Sequence, residues 1–85
     1  MNYVFEWMDD NPHVIFFGDI DLAIINEATE RIYGDPRLDK MEYLVCNFDK
    51  VEKFKGNLED LKTIINKTRL TSRPDLLWLV NAQQT

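Results

Sequence analysis

"FDKVEKFKGNLEDL", residues 48–61, is the stretch on which the fold turns. Its left end closes an apolar run and its right end opens a helix, so the segment between them converts a strand into a helix. Asn57 stands where an N-cap belongs, with Glu59 and Asp60 just after it. Side-chain acceptors and negative charge thereby meet the unpaired amides of a first helical turn. Leu58, Leu61, Ile64 and Ile65 follow with a helical period, and Lys67, Arg69 and Arg73 supply positive charge towards the far end. Pro74 blocks continuation. Lys53, Phe54, Lys55, Gly56 and Asn57 read as the loop that joins the two elements.

The same reasoning extends in both directions. "EYLVCNF" (42–48) and "LLWLV" (76–80) are short runs apolar at successive positions. They read as strands whose two faces are both buried. "GDIDLAIINEATERIYGDP" (18–36) has helical spacing. Asp19 is the expected cap, Ile20, Ile24, Ala28 and Ile32 the apolar stripe, and Gly34 with Pro36 the stop. Residues 3–8 alternate, Tyr3, Phe5 and Trp7 on one side and Val4, Glu6 and Met8 on the other. "DDNP" then makes a turn, and a hairpin leads into "HVIFF".

The order is β-β-α-β-α-β, an α/β domain with a single small mixed four-stranded sheet, spanning residues 1–85 as one unit. Strands joined through helices run parallel with right-handed crossovers, and the first strand adds antiparallel to the second. A mismatch follows. If strands add in simple sequence, both helices fall on one face, yet Val45 and Cys46, or Leu77 and Trp78, point to opposite faces. The second face needs a cover. The sequence leaves three open: a partner chain, a zigzag strand order with a helix on each side, or a further C-terminal segment.

Composition narrows the function. A net charge of −5 and a pI near 4.7 disfavour a phosphate backbone, so nucleic acid is not the expected partner. Cys46 is the one cysteine and lies in an apolar run, where it packs rather than reacts. The N-terminus lacks a basic leader with an apolar core, and no segment approaches the roughly 20 apolar residues of a membrane span. A cytoplasmic protein is expected.

The stretch from "FFGDIDLAIINEATERIYGDPRLDKMEYLVCNF" through "DKVEKFKGNLEDLKTI" resembles small bacterial STAS-like proteins, relatives of the sporulation anti-sigma-factor antagonist. The features that carry the resemblance are a strand ending in Gly, a helix, the Gly34-Asp35-Pro36-Arg37 segment, and a spacing here met by Val51, Phe54, Asp60 and Leu61. It covers about residues 13–80. The resemblance implies a STAS-like fold and a regulatory role exercised by binding proteins. Two departures stand out. Where the antagonists carry a phosphorylatable Ser, this chain has Lys55, Gly56 and Asn57, with no hydroxyl to modify. Relatives also continue into a further strand and helix.

Each residue that could do chemistry has a structural alternative. The amides near Asn57, with Lys53 and Lys55, could hold an anion, or Asn57 could simply cap the helix, leaving a turn or a contact surface. His13 follows the hairpin turn without a nearby metal-ligand or nucleophile pattern, with Asp9, Asp10 and Asp19 as the carboxylates it could meet. Asp19 with Asp21, and Asp35 with Asp39, could be paired carboxylates, or a helix cap and a turn. Phosphate-binding glycine loops, Gly-x-Ser-x-Gly and Cys-x-x-Cys are all missing. The aromatics Tyr3, Phe5, Trp7, Phe16, Phe17, Phe48 and Trp78 exceed what two helices need, and any left on an open face would mark an interface. The expectation is a non-enzymatic interaction domain without cofactor or metal. It forms a homodimer through its sheet and binds a protein partner at Lys53–Asn57. The alternative is a carrier or sensor of a small apolar ligand such as a lipid.

Overall fold

The structure is a computed structural model that describes residues 2–69 and 75–81, without the side chains of 58, 61, 65 and 67–69. The elements run β1 (Tyr3–Met8), β2 (Asn11–Asp21), α1 (Leu22–Tyr33), a short 3-10 helix (Pro36–Lys40), β3 (Tyr43–Lys55), α2 (Leu58–Arg69) and β4 (Leu77–Asn81). The expected charge and stop at Arg73 and Pro74 lie outside the described residues, as do the side chains of Leu58, Leu61, Ile65, Lys67 and Arg69.

One sheet has the order β1-β2-β3-β4. β1 pairs antiparallel with β2, from Tyr3↔Phe16 to Met8↔Asn11 across the turn at Asp9 and Asp10. Asp9 takes φ 58°, a left-handed conformation that a short acidic side chain tolerates. β2 and β3 are parallel, and so are β3 and β4. Strand order is therefore sequential, which rules out the zigzag option. The helices α1 and α2 touch each other, so both lie on the same face.

Besides Asn11 and Pro12, which the sequence reads as turn but which pair in β2 with Met8 and Trp7, element edges differ from the sequence expectation in two places. β2 and β3 stay paired as far as Asp21↔Lys55. Asp19 and Ile20 consequently belong to a strand, and Asp21 caps α1 in place of Asp19, its carboxylate accepting from Ile24 N at 3.0 Å. The inward stripe of α1 becomes Ile25, Ala28, Thr29 and Ile32. The second difference is that Lys53, Phe54 and Lys55 lie in β3, so only Gly56 and Asn57 separate it from α2. Backbone pairing with β2 offers those residues hydrogen-bond partners that a loop would have to find in water.

The core lies between the helices and one sheet face. Tyr3, Val14, Phe16, Ile20, Leu44 and Cys46 from the strands meet Ile25, Ala28 and Ile32 of α1. Ile64 of α2, the described member of its expected stripe, packs against this cluster. Phe16 and Phe48 stack with ring centroids 4.9 Å apart. Thr29 is buried but donates to Ile25 O at 2.8 Å, so its hydroxyl carries no desolvation cost left unmet. The helix α1 ends at Gly34, whose N–H donates to Glu30 O at 2.9 Å.

The segment after Gly34 forms an unexpected latch. Asp35 caps the 3-10 helix through Arg37 N (2.8 Å) and takes a two-pronged contact from Arg37 Nε (2.9 Å) and Nη2 (3.0 Å). The same guanidinium lies over the Trp7 ring, 3.3 Å from its centroid. Leu38 and Met41 are thereby held in the core beneath it.

Candidate functional site

Side chains alternate across a strand, and directly opposed residues share a face, so the pairing register sorts the sheet. Tyr3, Phe5, Trp7, Val14, Phe16, Leu44, Cys46, Trp78 and Val80 fall on the helix side. The other side is built of rows running across all four strands. One reads Glu6, His13, Val45, Leu79, and the next Val4, Ile15, Asn47, Asn81. Beyond them lie Met8 and Asn11, Tyr43 with Leu77, and Phe17.

That side is open, and its exposed apolar side chains stand among polar ones, with Glu6, Lys50 and Asn81 exposed there too. Val4 is 49% exposed, Met8 55%, Phe17 37%, Leu77 56% and Leu79 43%. The expectation that "EYLVCNF" and "LLWLV" are buried on both faces is not met: helices cover one face of the sheet only, and Leu77, Leu79 and Val80 of β4 are exposed. Such a patch on a protein surface ordinarily marks an interface.

His13 sits in the middle of this face on the central strand β2. Its ring meets Tyr43 edge-on at 5.9 Å, and its buried Nε2 makes no hydrogen bond among the described residues. A base needs an acceptor or a substrate at hydrogen-bond reach, and the register sets Glu6 and Val45 beside it, not Asp9, Asp10 or Asp19.

The β3–α2 junction is the second part of the site. Lys53, Phe54 and Lys55 lie alongside Asp19, Ile20 and Asp21 in register, so each lysine has a carboxylate-bearing neighbour. Asn57 Oδ1 accepts from Asp60 N at 2.9 Å, which makes it the helix cap. With that amide engaged and Glu59 and Asp60 in the first turn, the place is poorly suited to an anion. The turn is steric in origin. At Gly56 a Cβ would stand 3.0 Å from both Leu22 Cγ and Phe54 Cζ, and the backbone takes φ 158°. What the segment offers is surface: Lys53, Lys55 and Asn57 are exposed, and Phe54 keeps 39% of its surface in solvent.

The remaining chemical candidates are engaged in structural work. Asp21 is a cap, and the Arg37 guanidinium holds the Asp35 carboxyl below the usual carboxylate range. Asp39 lies exposed in the 3-10 helix. Burial pushes the Cys46 thiol up to about 12, so it stays protonated and unreactive near neutrality. Among the described residues no three His, Cys, Asp or Glu side chains are gathered to hold a metal ion. No helix among them is long and apolar enough to cross a membrane.

Of the seven aromatics that the sequence groups together, Tyr3, Phe5, Trp7, Phe16, Phe48 and Trp78 lie in or against the core, and Phe17 faces out on the open side. Sequence reasoning missed the Arg37–Trp7 stack, for which only the proximity of Arg to a turn-forming Asp-Pro gave a local signal. No protein-family model matches the chain, and a search of curated proteins finds no match either.

Proposed function

We propose that this chain is a non-enzymatic, STAS-like regulatory domain that self-associates through its sheet and binds a protein partner beside Lys53–Asn57. The observation that carries the reading is the open apolar face built from β1 to β4. Its exposed Val4, Met8, Phe17, Leu77 and Leu79 cost free energy in water that a protein neighbour would recover, at about 25 cal/mol per Å2 covered. The STAS-like part rests on the element order and on the Gly-Asp-Pro-Arg segment entering β3. The non-enzymatic part rests on Asp21, Asp35 and Asn57 each being engaged as a cap. At the junction, Phe54 keeps part of its ring in solvent on the side of Ile20, while Lys53 and Lys55 alternate to the opposite side of β3, so the segment presents an apolar and a basic surface back to back.

Light scattering on a size-exclusion column tests self-association. At tens of micromolar the wild type is expected to elute as two chains, and a monodisperse monomer would overturn this reading. For the junction, immobilised protein capturing a partner from its native host should lose it on Lys53→Glu/Lys55→Glu. Undiminished capture would remove that segment from the binding surface. The carrier alternative requires room between helices and sheet, where Phe16, Phe48, Tyr3 and Ile25 already meet.

A further inference from the structure

β4 differs from the other strands in three respects. It ends the sheet, so among the described residues its backbone is paired on one side only. Its five residues, Leu77–Asn81, carry no charge, whereas β1, the other edge, has Glu6, and β2 and β3 hold several acidic and basic groups. Its exposure is also two-sided. Val80 lies beside Cys46 on the helix side, yet Val80 is 54% exposed while Cys46 is 4%. The covered layer therefore stops short of β4, although Trp78 is tied into it by donating to Tyr33 OH at 3.1 Å. Natural edges are usually blunted with Lys, Pro or a bulge, and this one has none of them.

We infer that β4 pairs antiparallel with β4 of a second copy, joining two sheets into one of eight strands. The inference rests on the self-association reading above but sets the seam at the edge of the sheet, which leaves Val4, Met8 and Phe17 on the open face uncovered. A second copy is favoured by charge: each chain carries −5, and β4 is the strand where two copies can meet without opposing like charges. It is also favoured by self-complementarity. Antiparallel pairing within a continuous sheet requires a two-fold axis normal to it, which keeps each face on its own side. Centred on Leu79, such an axis sets Leu79 against its own copy on the open face. On the helix side it sets Trp78 against the exposed Val80 of the other chain, twice. An aromatic opposite a β-branched residue is a favourable cross-strand pair.

The test is a single-cysteine scan read together with scattering. Cys46 is buried and protonated, so it stays silent under mild oxidation and need not be removed. Residues directly opposed in an antiparallel pair have Cα atoms about 4.5–5.5 Å apart, within disulfide range. Leu79→Cys should therefore cross-link as a dimer, and Val80→Lys, a change at a site exposed in the single chain, should shift the mass to that of a monomer. A dimer in which Leu79→Cys stays unlinked while Val4→Cys or Phe17→Cys links would overturn the β4 seam and leave self-association standing. A monomeric wild type would overturn both. Cross-linking of Leu79→Cys only to a different polypeptide in extract would overturn the choice of a second copy.

Discussion

Arg37 shows how one side chain can join elements that are far apart in sequence. It donates to Asp35 through two nitrogens, and its planar face covers Trp7 of β1, so the crossover from α1 to β3 is pinned to the hairpin. Lysine could supply the charge but neither the fork nor the stack. The Asp35 carboxyl is held below its ordinary value, chiefly by the hydrogen bonds from Arg37. A lowered folded value means stability that is present above the unfolded carboxyl pKa, about 3.9, and lost as pH falls through the folded value. Asp35→Asn should therefore flatten the acid limb of a urea-midpoint-against-pH curve. An acid limb identical to wild type would show that the contact contributes nothing. Gly56 is decided by crowding: Gly56→Ala should lower stability by about 1 kcal/mol or more, measured by denaturant unfolding, because Leu22 and Phe54 must both shift.

At the scale of elements, the cap of α1 separates two readings of adjacent acidic residues. Asp19 and Asp21 are equivalent by composition, yet only Asp21 has its carboxylate on a first-turn amide. Asp21→Ala should cost about 1 kcal/mol in thermal or denaturant unfolding, whereas Asp19→Ala, on an exposed strand position, should stay within about 0.5 kcal/mol. Equal losses would place the cap at neither residue alone. The far half of β3 makes a second distinction. A loop at 53–55 would exchange its amide hydrogens rapidly, while a strand paired with β2 protects those that point inward. Hydrogen exchange at Lys53, Phe54 and Lys55 is expected to show at least one protected amide, set against fast exchange at Gly56.

For the whole molecule, the one-sided core sets both stability and its pH range. Burial raises the Cys46 thiol to about 12, and burial together with the bond to Glu27 raises the Tyr3 phenol. Groups raised in the folded state contribute stability below their unfolded pKa and lose it as pH climbs towards the folded one. Stability should thus fall above pH about 8.5, where an unfolded thiol ionises, at up to about 1.4 kcal/mol per pH unit. Cys46→Ala should remove that first part of the alkaline slope, and Tyr3→Phe the part that starts near the ordinary tyrosine value, about 10. Parallel alkaline slopes in wild type and Cys46→Ala would mean that the thiol ionises freely in the folded chain.

Local patterns settled much by themselves. Alternation in residues 3–8, the turn at Asp9 and Asp10, the stop of α1 at Gly34 and the cap at Asn57 all express short-range physics, and each was specified without distant help. Long-range pairing was not encoded that way. Where β2 stopped and α1 began depended on how far β3 could follow it, so Asp21 took the cap from Asp19 and Lys53–Lys55 became strand. Likewise the apolar strands implied two faces to bury but not which would be covered. Only the sequential strand order decided that, because right-handed crossovers from neighbouring strands carry both helices to one side and leave the other without a helix over it.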